Sequence, residues 1–394
     1  MDHPPPVAPA GRNRPQLHRL CPGDGPAHPH QPQGVVAMTR TPSQEEPLPP
    51  ETNPYQDFEK VIEALLDEKH HLPFPVYRRL SDLEGAEADR LRAIWPQISR
   101  QRRRNLLEEL EVLTEVDYTL SYLTVGLVAM DDPDGYIRAL GIRLLWEEEE
   151  PFLAERFLTL VTEDPDPQVR ATAAGALGSY VYLGEVEELS PRLFQRIVET
   201  LIGIVRDASL DAELRRQALE AVSYATHEEV PGLIEAALAE EDLDWQAAAL
   251  YAMGRSGLRR WGATIMEYLE HPNPRLRAEA ATAAGQLGLG RAVKTLTRLL
   301  EDTVPEVRMA AAWALGEIGK GGDTVYQALE KALELAADEE EVQAIEEAQE
   351  NFVFQAGLMD ELLLMDIGEG EVPEEDLEEW LDLFGDEDED KDSA

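Results

Sequence analysis

One pattern recurs through the middle of the chain at a nearly fixed interval, and it restricts the possible folds more than any other feature. Each copy begins with a turn rich in Asp, Asn or Pro, continues through an Arg or Gln, and enters a run rich in Ala. The Arg-equivalent positions of six copies are 138, 170, 215, 246, 277 and 308, which gives spacings of 32, 45, 31, 31 and 31 residues. A weaker seventh copy surrounds Gln343. Such a period is typical of architectures in which one small unit stacks on the next.

Each copy predicts one helix, and the stretch between copies predicts a second. In the sixth copy Val307, Ala311, Leu315 and Ile318 recur at helical spacing and form one apolar face. Residues 292–300 form a second amphipathic stretch of the same kind. Because one helix pair cannot bury both apolar faces alone, the units must stack. The sequence therefore predicts an all-α fold, a right-handed α-solenoid of helical hairpins whose alanines let the inner helices approach closely.

The motif that runs from Pro305 through Arg308 to Gly316 resembles the HEAT-repeat family, specifically the short units called phycobilisome-lyase HEAT-like repeats. The resemblance covers roughly residues 131–350. It implies that the repeated Arg and Asp residues link successive units across the turn. Gln246 replaces the Arg in one copy, so that link is in doubt there. The resemblance leaves activity open, because the family includes scaffolds, chaperone-like lyases and some enzymes.

The composition changes along the chain and predicts five segments. Residues 1–57 are predicted to be disordered, and we hypothesise that residues 1–37 are a gene-model extension with the natural start at Met38, a real disordered tail being the alternative. The long spacing between the second and third copies predicts a long loop around residues 184–191. The other segments are a helical cap at 58–117, HEAT-like repeats at 118–350, a C-terminal capping helix at 351–365 and an acidic tail at 366–394.

The charge balance restricts the class of partner. The chain has 35 basic and 79 acidic residues and a net charge of −44, so it would repel nucleic-acid phosphates and anionic membranes. No stretch approaches the roughly 18 apolar residues that a membrane helix needs. The single cysteine excludes a disulfide-built secreted scaffold. We therefore expect a cytoplasmic protein whose partner is another protein with a basic surface.

The candidate binding surface follows from the repeat. Positions two, five and nine after the repeat Arg share a face opposite the apolar one, and in HEAT-type solenoids this helix lines the concave side. Aromatic, Arg and acidic side chains on one exposed surface are typical of a protein-interaction site. In an alternative interpretation, Tyr251 and Trp313 fill gaps between neighbouring helices. The predicted partner-binding residues are Tyr224, Tyr251, Arg255, Glu279, Gln286, Trp313, Glu317 and Trp380.

Each of two charged segments has more than one interpretation. Residues 377–384 of the tail place Leu, Trp, Leu and Phe at helical spacing, which predicts an amphipathic helix for another protein or for the chain's own solenoid. Residues 90–104 contain six arginines and no acidic residue. Those arginines could bind a phosphate or an acidic partner, receive the chain's own tail, or form a solvated helix face.

No motif predicts a catalytic residue, a cofactor or a metal. No His-Glu-x-x-His sequence occurs, and His227-Glu228 is the only His-Glu pair, whereas the di-iron site of deoxyhypusine hydroxylase, built on similar repeats, needs several. We therefore expect a non-enzymatic protein-interaction scaffold that binds a partner on the concave helix ridge. The alternatives are a bilin-lyase-like chaperone or another HEAT-repeat enzyme acting on a protein partner, and a polyanion mimic that acts through its tail.

Overall fold

The computed structural model describes residues 54–366, with side chains over 55–357 apart from Glu115. All regular secondary structure in this part is helical, which confirms the predicted fold class. The structure differs from the prediction at one border, because Pro54–Gln56 forms a 3-10 turn inside the segment predicted to be disordered. Residues 1–53 of that segment and residues 367–394 of the acidic tail, including Trp380, lie outside the described residues.

Four helices form the N-terminal part of the described chain. They bury a separate apolar cluster that they share with the first hairpin, including Leu65, Leu91, Leu107 and Ile137. This arrangement covers the apolar face that a terminal repeat would otherwise expose, as expected for a solenoid cap. The helices are α1 (Phe58–Leu66), α2 (Phe74–Arg79), α3 (Gly85–Ile94) and α4 (Arg100–Val116).

Seven helical hairpins follow in the described chain. In each hairpin the second helix carries the repeat motif and packs against the first helix. The first helices are α5 (Leu123–Ala129), α7 (Pro151–Glu163), α9 (Pro191–Arg206), α11 (Val230–Leu238), α13 (Gly262–Tyr268), α15 (Val293–Leu299) and α17 (Gly322–Leu335). The second helices are α6 (Gly135–Leu144), α8 (Pro167–Glu185), α10 (Ala212–Val222), α12 (Leu243–Arg255), α14 (Pro274–Gln286), α16 (Pro305–Ile318) and α18 (Glu339–Asp366).

The even-numbered helices form a continuous inner row. From α4 to α18 each contacts the next, whereas neighbouring odd-numbered helices touch much less. The inner row is therefore the more crowded side of the stack, as the alanine content predicts. One apolar core runs through the hairpins from Met130 to Phe352.

Two predicted boundaries are wrong. The long spacing between Arg170 and Arg215 arises from the helices themselves, because α8 has 19 residues and α9 has 16, and only residues 186–190 lie between them. At the C-terminal end, residues 351–365 form no separate capping helix but continue α18. The helix continues because no proline interrupts residues 351–365.

The turns before five of the inner helices supply a side-chain N-cap. Asp134, Asp166, Asp211, Asp242 and Asn273 each accept a hydrogen bond from a backbone N–H of the first helical turn. A side-chain oxygen at this position satisfies a donor that the helix leaves free and contributes about 1 kcal/mol. The recurring spacing of the motif thus has a local cause at these five helices, whereas α16 follows Val304 and has no side-chain cap.

The repeat arginines link successive hairpins at both ends of the stack, as the resemblance implies. Arg138 and Arg277 each donate two hydrogen bonds to an Asp before the next inner helix, over 2.7–2.9 Å. In the middle of the stack Arg170, Arg215 and Gln246 donate hydrogen bonds only to a backbone carbonyl of their own hairpin. The four linking pairs, called here the ion ladder, are Arg103–Asp132, Arg138–Asp164, Arg277–Asp302 and Arg308–Glu341.

Glycines mark the points of closest approach in the inner row. A Cβ atom built on Gly285 would lie 2.8 Å from Cα of Ala314, and one built on Gly316 would lie 2.8 Å from a backbone oxygen of Ala348. Both distances are shorter than a carbon side chain tolerates. The Gly that closes the motif therefore allows the following inner helix to pass directly over it.

Candidate functional site

The polar centre of the inner row is the guanidinium of Arg255 at the end of α12. It donates hydrogen bonds to the hydroxyl groups of Tyr251 on the same helix and of Tyr224 just after α10. Its Cζ atom lies 4.2 Å from the centroid of the Tyr224 ring and 4.9 Å from that of Tyr251. Cation–π attraction therefore adds to the hydrogen bonds, and the three predicted site residues form one unit.

Two carboxyl groups lie beside this unit on neighbouring inner helices. Glu220 on α10 is half-buried, and Glu279 on α14 is 6% exposed. Burial raises the pKa of Glu220 to about 8, with a further contribution from the negative charges of Glu279 and Glu213. Burial likewise raises the pKa of Glu279 to about 7. Both acids are therefore partly protonated near neutral pH, which is unusual for Glu.

Among the described residues, no hydrogen bond stabilises the ionised form of either carboxyl group. The nearby Arg255 lowers the pKa of Glu220 by its charge, and Arg275 does so for Glu279, but burial outweighs both effects. Arg275 itself forms an ion pair with Asp244. A buried carboxylate without a donor is costly, so the site has unused capacity for a cationic hydrogen-bond donor.

The remaining predicted site residues lie along the same row but serve different contacts. Trp313 on α16 is half-buried, and its ring lies so close to Gly285 that a Cβ built there would be 2.7 Å from it. Gln286 places its side-chain oxygen against Gly254, where no described group donates to it. Glu317 accepts a 2.6 Å hydrogen bond from Asn351, and burial raises its pKa.

The geometry corrects one premise of the prediction. The side chains at positions two, five and nine after the repeat Arg are half-buried or buried instead of exposed, because successive inner helices approach so closely. Trp313 fills a gap between α14 and α16, in line with the alternative interpretation. Tyr251, in contrast, is tied to Arg255. The assignment of these residues to partner binding remains a prediction.

The six arginines between residues 90 and 104 are already occupied within the cap. Arg90 donates two 3.0 Å hydrogen bonds to Glu59, and Arg102 donates to the backbone oxygens of Asp67 and His70. The other four are paired with acidic residues, namely Asp89, Asp134, Asp132 and Glu108. Five of the six arginines are therefore paired with acids, of which Asp89 and Glu108 are near in sequence and Glu59, Asp132 and Asp134 are distant.

One aromatic contact was missed from the sequence. Trp245 at the start of α12 lies beneath the guanidinium groups of Arg215 and Arg216, with Cζ atoms 4.9 Å and 5.8 Å from its ring. The Trp is 9% exposed and packs on the end of the inner row nearer the N-cap turns. The adjacent pair of arginines one repeat earlier, at 215 and 216, was the available signal.

Within the part of the chain that the structure describes, no helix is both long and apolar enough to cross a membrane. Over the same residues, no group of three or more His, Cys, Asp or Glu side chains is arranged to hold a metal ion.

The architecture and the repeat motif are those of an α-solenoid built from helical hairpins. Residues 262–349, which span the last three hairpins, match the family described as HEAT repeats. The motif resemblance to HEAT repeats is thus confirmed over this part of the chain. No curated protein shows a significant match to the chain.

Several solved structures are similar to the chain over most of their own length. Human deoxyhypusine hydroxylase, in complex with glycerol, is 20% identical over 68% of this chain and 95% of its own, with a TM-score of 0.30. The Escherichia coli protein YibA is 18% identical over 72% and 98%, with a TM-score of 0.39. The complex of CpcE and CpcF of phycocyanin lyase from Nostoc is 18% identical over 58% and 94%, with a TM-score of 0.39.

Proposed function

We propose that this protein is a non-enzymatic interaction scaffold that binds a basic segment of a partner protein along its inner helix row. HEAT repeats offer an extended concave surface suited to a partner chain. The acidic charge of the whole molecule, −44, would attract a basic segment over a distance and speed its association at low salt.

The observation that carries the proposal is the pair of carboxyl groups of Glu220 and Glu279. They lie beside the Tyr224, Tyr251 and Arg255 unit without a hydrogen-bond donor of their own. A Lys or Arg side chain of a partner would supply the missing donor and the missing positive charge. The neighbouring tyrosine rings would contact its aliphatic part.

This arrangement predicts a definite pH dependence of binding. A bound cation favours the ionised carboxylate, so it lowers the pKa of Glu220 and Glu279 and releases protons. At pH 6 both groups are mostly protonated in the free protein, given pKa values of about 8 and about 7. Affinity should therefore rise with pH and reach a plateau above about pH 8.

The test is calorimetric titration of the full chain with an octapeptide of alternating Lys and Arg. We expect binding that is about ten- to a hundredfold weaker at pH 6 than at pH 8.5. Glu220→Gln with Glu279→Gln should weaken binding at pH 8.5 by a similar factor and remove most of the pH dependence. The substitutions preserve side-chain shape, so folding should be retained.

The matched control is Glu240→Gln with Glu241→Gln, which removes the same charge from an exposed turn outside the inner row. Its binding should stay within about twofold of the original and keep the original pH profile. Equal losses in the two double variants would mean that the peptide responds only to overall charge, and the proposed site would be abandoned.

The same carboxyl groups favour a second candidate, a HEAT-repeat enzyme or bilin-lyase-like chaperone that acts on a bound protein. A buried carboxylic acid with a pKa near neutrality is suited to donate a proton in catalysis. In that case Glu220→Gln would abolish product formation while the partner stayed bound. The assay is the change in partner mass, or in visible absorbance after incubation with a bilin.

A further inference from the structure

Three cations at one edge of the repeat stack have no described partner. Arg291 and Lys294 are exposed and Lys320 is half-buried, and within the described residues none of them forms an ion pair or a side-chain hydrogen bond. Among the other described Lys and Arg side chains, only Lys69 and Arg192 share this condition. In a chain of net charge −44, three such cations at one place are a distinct feature.

These cations lie together because the turns after successive inner helices are neighbours. Lys320 follows α16, and its Nζ atom would be 3.3 Å from a Cβ built on Gly290 in the turn after α14. Arg291 is the next residue, and Lys294 follows it by three positions, which places it one helical turn away. Arg291, Lys294 and Lys320 are called here the basic edge.

Nearby acidic residues do not neutralise the positive charge of the basic edge. No acidic residue occurs between Ala280 and Leu300. On the neighbouring hairpin Glu317 already accepts a hydrogen bond from Asn351, and Asp323 is exposed in the first turn of α17. The edge is therefore suited to a ligand that brings several negative charges in sequence.

We propose that the basic edge binds the acidic C-terminal segment of the same chain, residues 367–394. This segment carries fourteen acidic residues and one Lys, the opposite charge to the edge. The arginines of the other basic group in the sequence, residues 90–104, already have partners in the cap and in the first hairpin. The proposal concerns a site separate from the inner row, so it can hold or fail independently of the proposed function.

The chain path allows this contact. Helix α18 packs on α16 and α17, and its Gln355 lies against Gly319, the residue before Lys320. From Gln355 the helix continues to Asp366, about 16 Å further at 1.5 Å per residue. Eight extended residues beyond Asp366 span about 26 Å, so the acids at 374–376 can return past Lys320 and reach Arg291.

Zero-length carbodiimide coupling of the full chain tests the proposal, because it joins a Lys amine only to a carboxylate in direct contact. An equal mixture of ordinary and nitrogen-15-labelled protein distinguishes links within one molecule from links between two. After digestion, mass spectrometry should find Lys294 and Lys320 joined to acids of residues 369–392 within one molecule. The yield should fall at least fivefold in 0.5 M NaCl, because salt screens exposed charges.

Lys69 provides the internal control, since it is also exposed and unpaired among the described residues. Cross-links between Lys69 and residues 369–392 should be at least tenfold less abundant than those of Lys294 and Lys320. Arg291→Glu should lower the yields at Lys294 and Lys320 several-fold, whereas Arg192→Glu should leave them unchanged. Equal yields at Lys69, links found only between two molecules, or an Arg291→Glu variant that behaves like Arg192→Glu would each overturn the proposal.

Discussion

Arg277 on α14 donates two 2.9 Å hydrogen bonds to the carboxylate of Asp302, which lies in the turn that leads to α16. The same guanidinium donates to the backbone oxygens of His271 and Pro272, over 2.9 Å and 3.1 Å. The Arg277 side chain therefore stabilises the turn before its own helix and also binds the next hairpin. Because the Arg side chain is 15% exposed and that of Asp302 is 9% exposed, solvent screens this pair only weakly.

Removing Arg277 should be costly for this reason. We expect Arg277→Met to lower the free energy of unfolding by about 3–5 kcal/mol, since Asp302 would remain as a buried charge without its partner. Gln246→Met at the equivalent position should cost about 1 kcal/mol, because Gln246 bonds only to the backbone oxygen of Glu240. Urea unfolding followed by circular dichroism measures both. Equal losses would contradict a structural role for the ion ladder.

The cap should depend on Asp132 in the same way. This Asp is 3% exposed and accepts hydrogen bonds from Trp95 of the cap, at 2.8 Å, and from Arg103 on α4. We expect Asp132→Ala to destabilise the protein by about 3–5 kcal/mol and to expose amides of α1–α4 to hydrogen exchange. Asp131→Ala, whose side chain is 72% exposed, is the control and should change stability by less than about 1 kcal/mol. Unchanged exchange in the cap would refute this.

Because the inner helices approach each other closely, we expect opposite effects on stability when two glycines are replaced by alanine. Gly285→Ala should cost about 1–3 kcal/mol, because the new methyl group would meet α16 at less than 3 Å. Gly203→Ala on α9 should instead stabilise by about 0.5–1 kcal/mol, since nothing lies within 4 Å of the new atom and Ala favours helix. Thermal unfolding of the two variants compares them directly. A stabilised Gly285→Ala variant would show that the helices are further apart than described.

The buried carboxyl group of Glu279 should make stability depend on pH. Its folded pKa, about 7, lies above the ordinary value of 4.5, so the folded state binds a proton that the unfolded state has lost. Stability from this group is therefore fully present below pH 4.5 and is lost as pH rises to about 7. We expect Glu279→Gln to be more stable than the original by roughly 1–3 kcal/mol at pH 8.5 and equal to it at pH 4.5.

The measurement is urea unfolding across this pH range. Glu240→Gln, at an exposed position in the turn before α12, provides the control and should follow the curve of the original protein. If the difference between the original and Glu279→Gln did not change with pH, burial of an ionisable group at this position would be excluded.

Much of the fold can be predicted from the sequence, because residues within each repeat indicate the structure of that repeat. The Asp or Asn before five inner helices caps them, and Arg138, Arg277 and Arg308 form the links to the next hairpin that the resemblance implies. Helix lengths were harder to predict. Nothing local marks where α8 ends, and its extension to Glu185 was mistaken for a loop.

The site was predicted less completely, because its properties depend on residues far apart in sequence. The arginines of the cap appeared to be a free basic group, but their partners range from Glu59 to Asp134. Burial of Glu279 follows from how closely α12, α14 and α16 approach, which a single repeat does not reveal. The basic edge was missed because its cations belong to turns of two successive hairpins.

The ion ladder has a gap in the middle of the stack, where Arg170, Arg215 and Gln246 donate to backbone oxygens of their own hairpin and form no ion pair with the next one. Helices α10 and α12 also touch less than other neighbours in the later part of the inner row. The polar contacts between them include the hydrogen bond from Arg255 to Tyr224, the 4.0 Å ion pair of Arg216 with Asp244, and the packing of Arg215 and Arg216 on Trp245. A partner that engages Arg255 would therefore bind where two neighbouring inner helices touch less, so occupancy of the site would bear directly on how these two helices pack together.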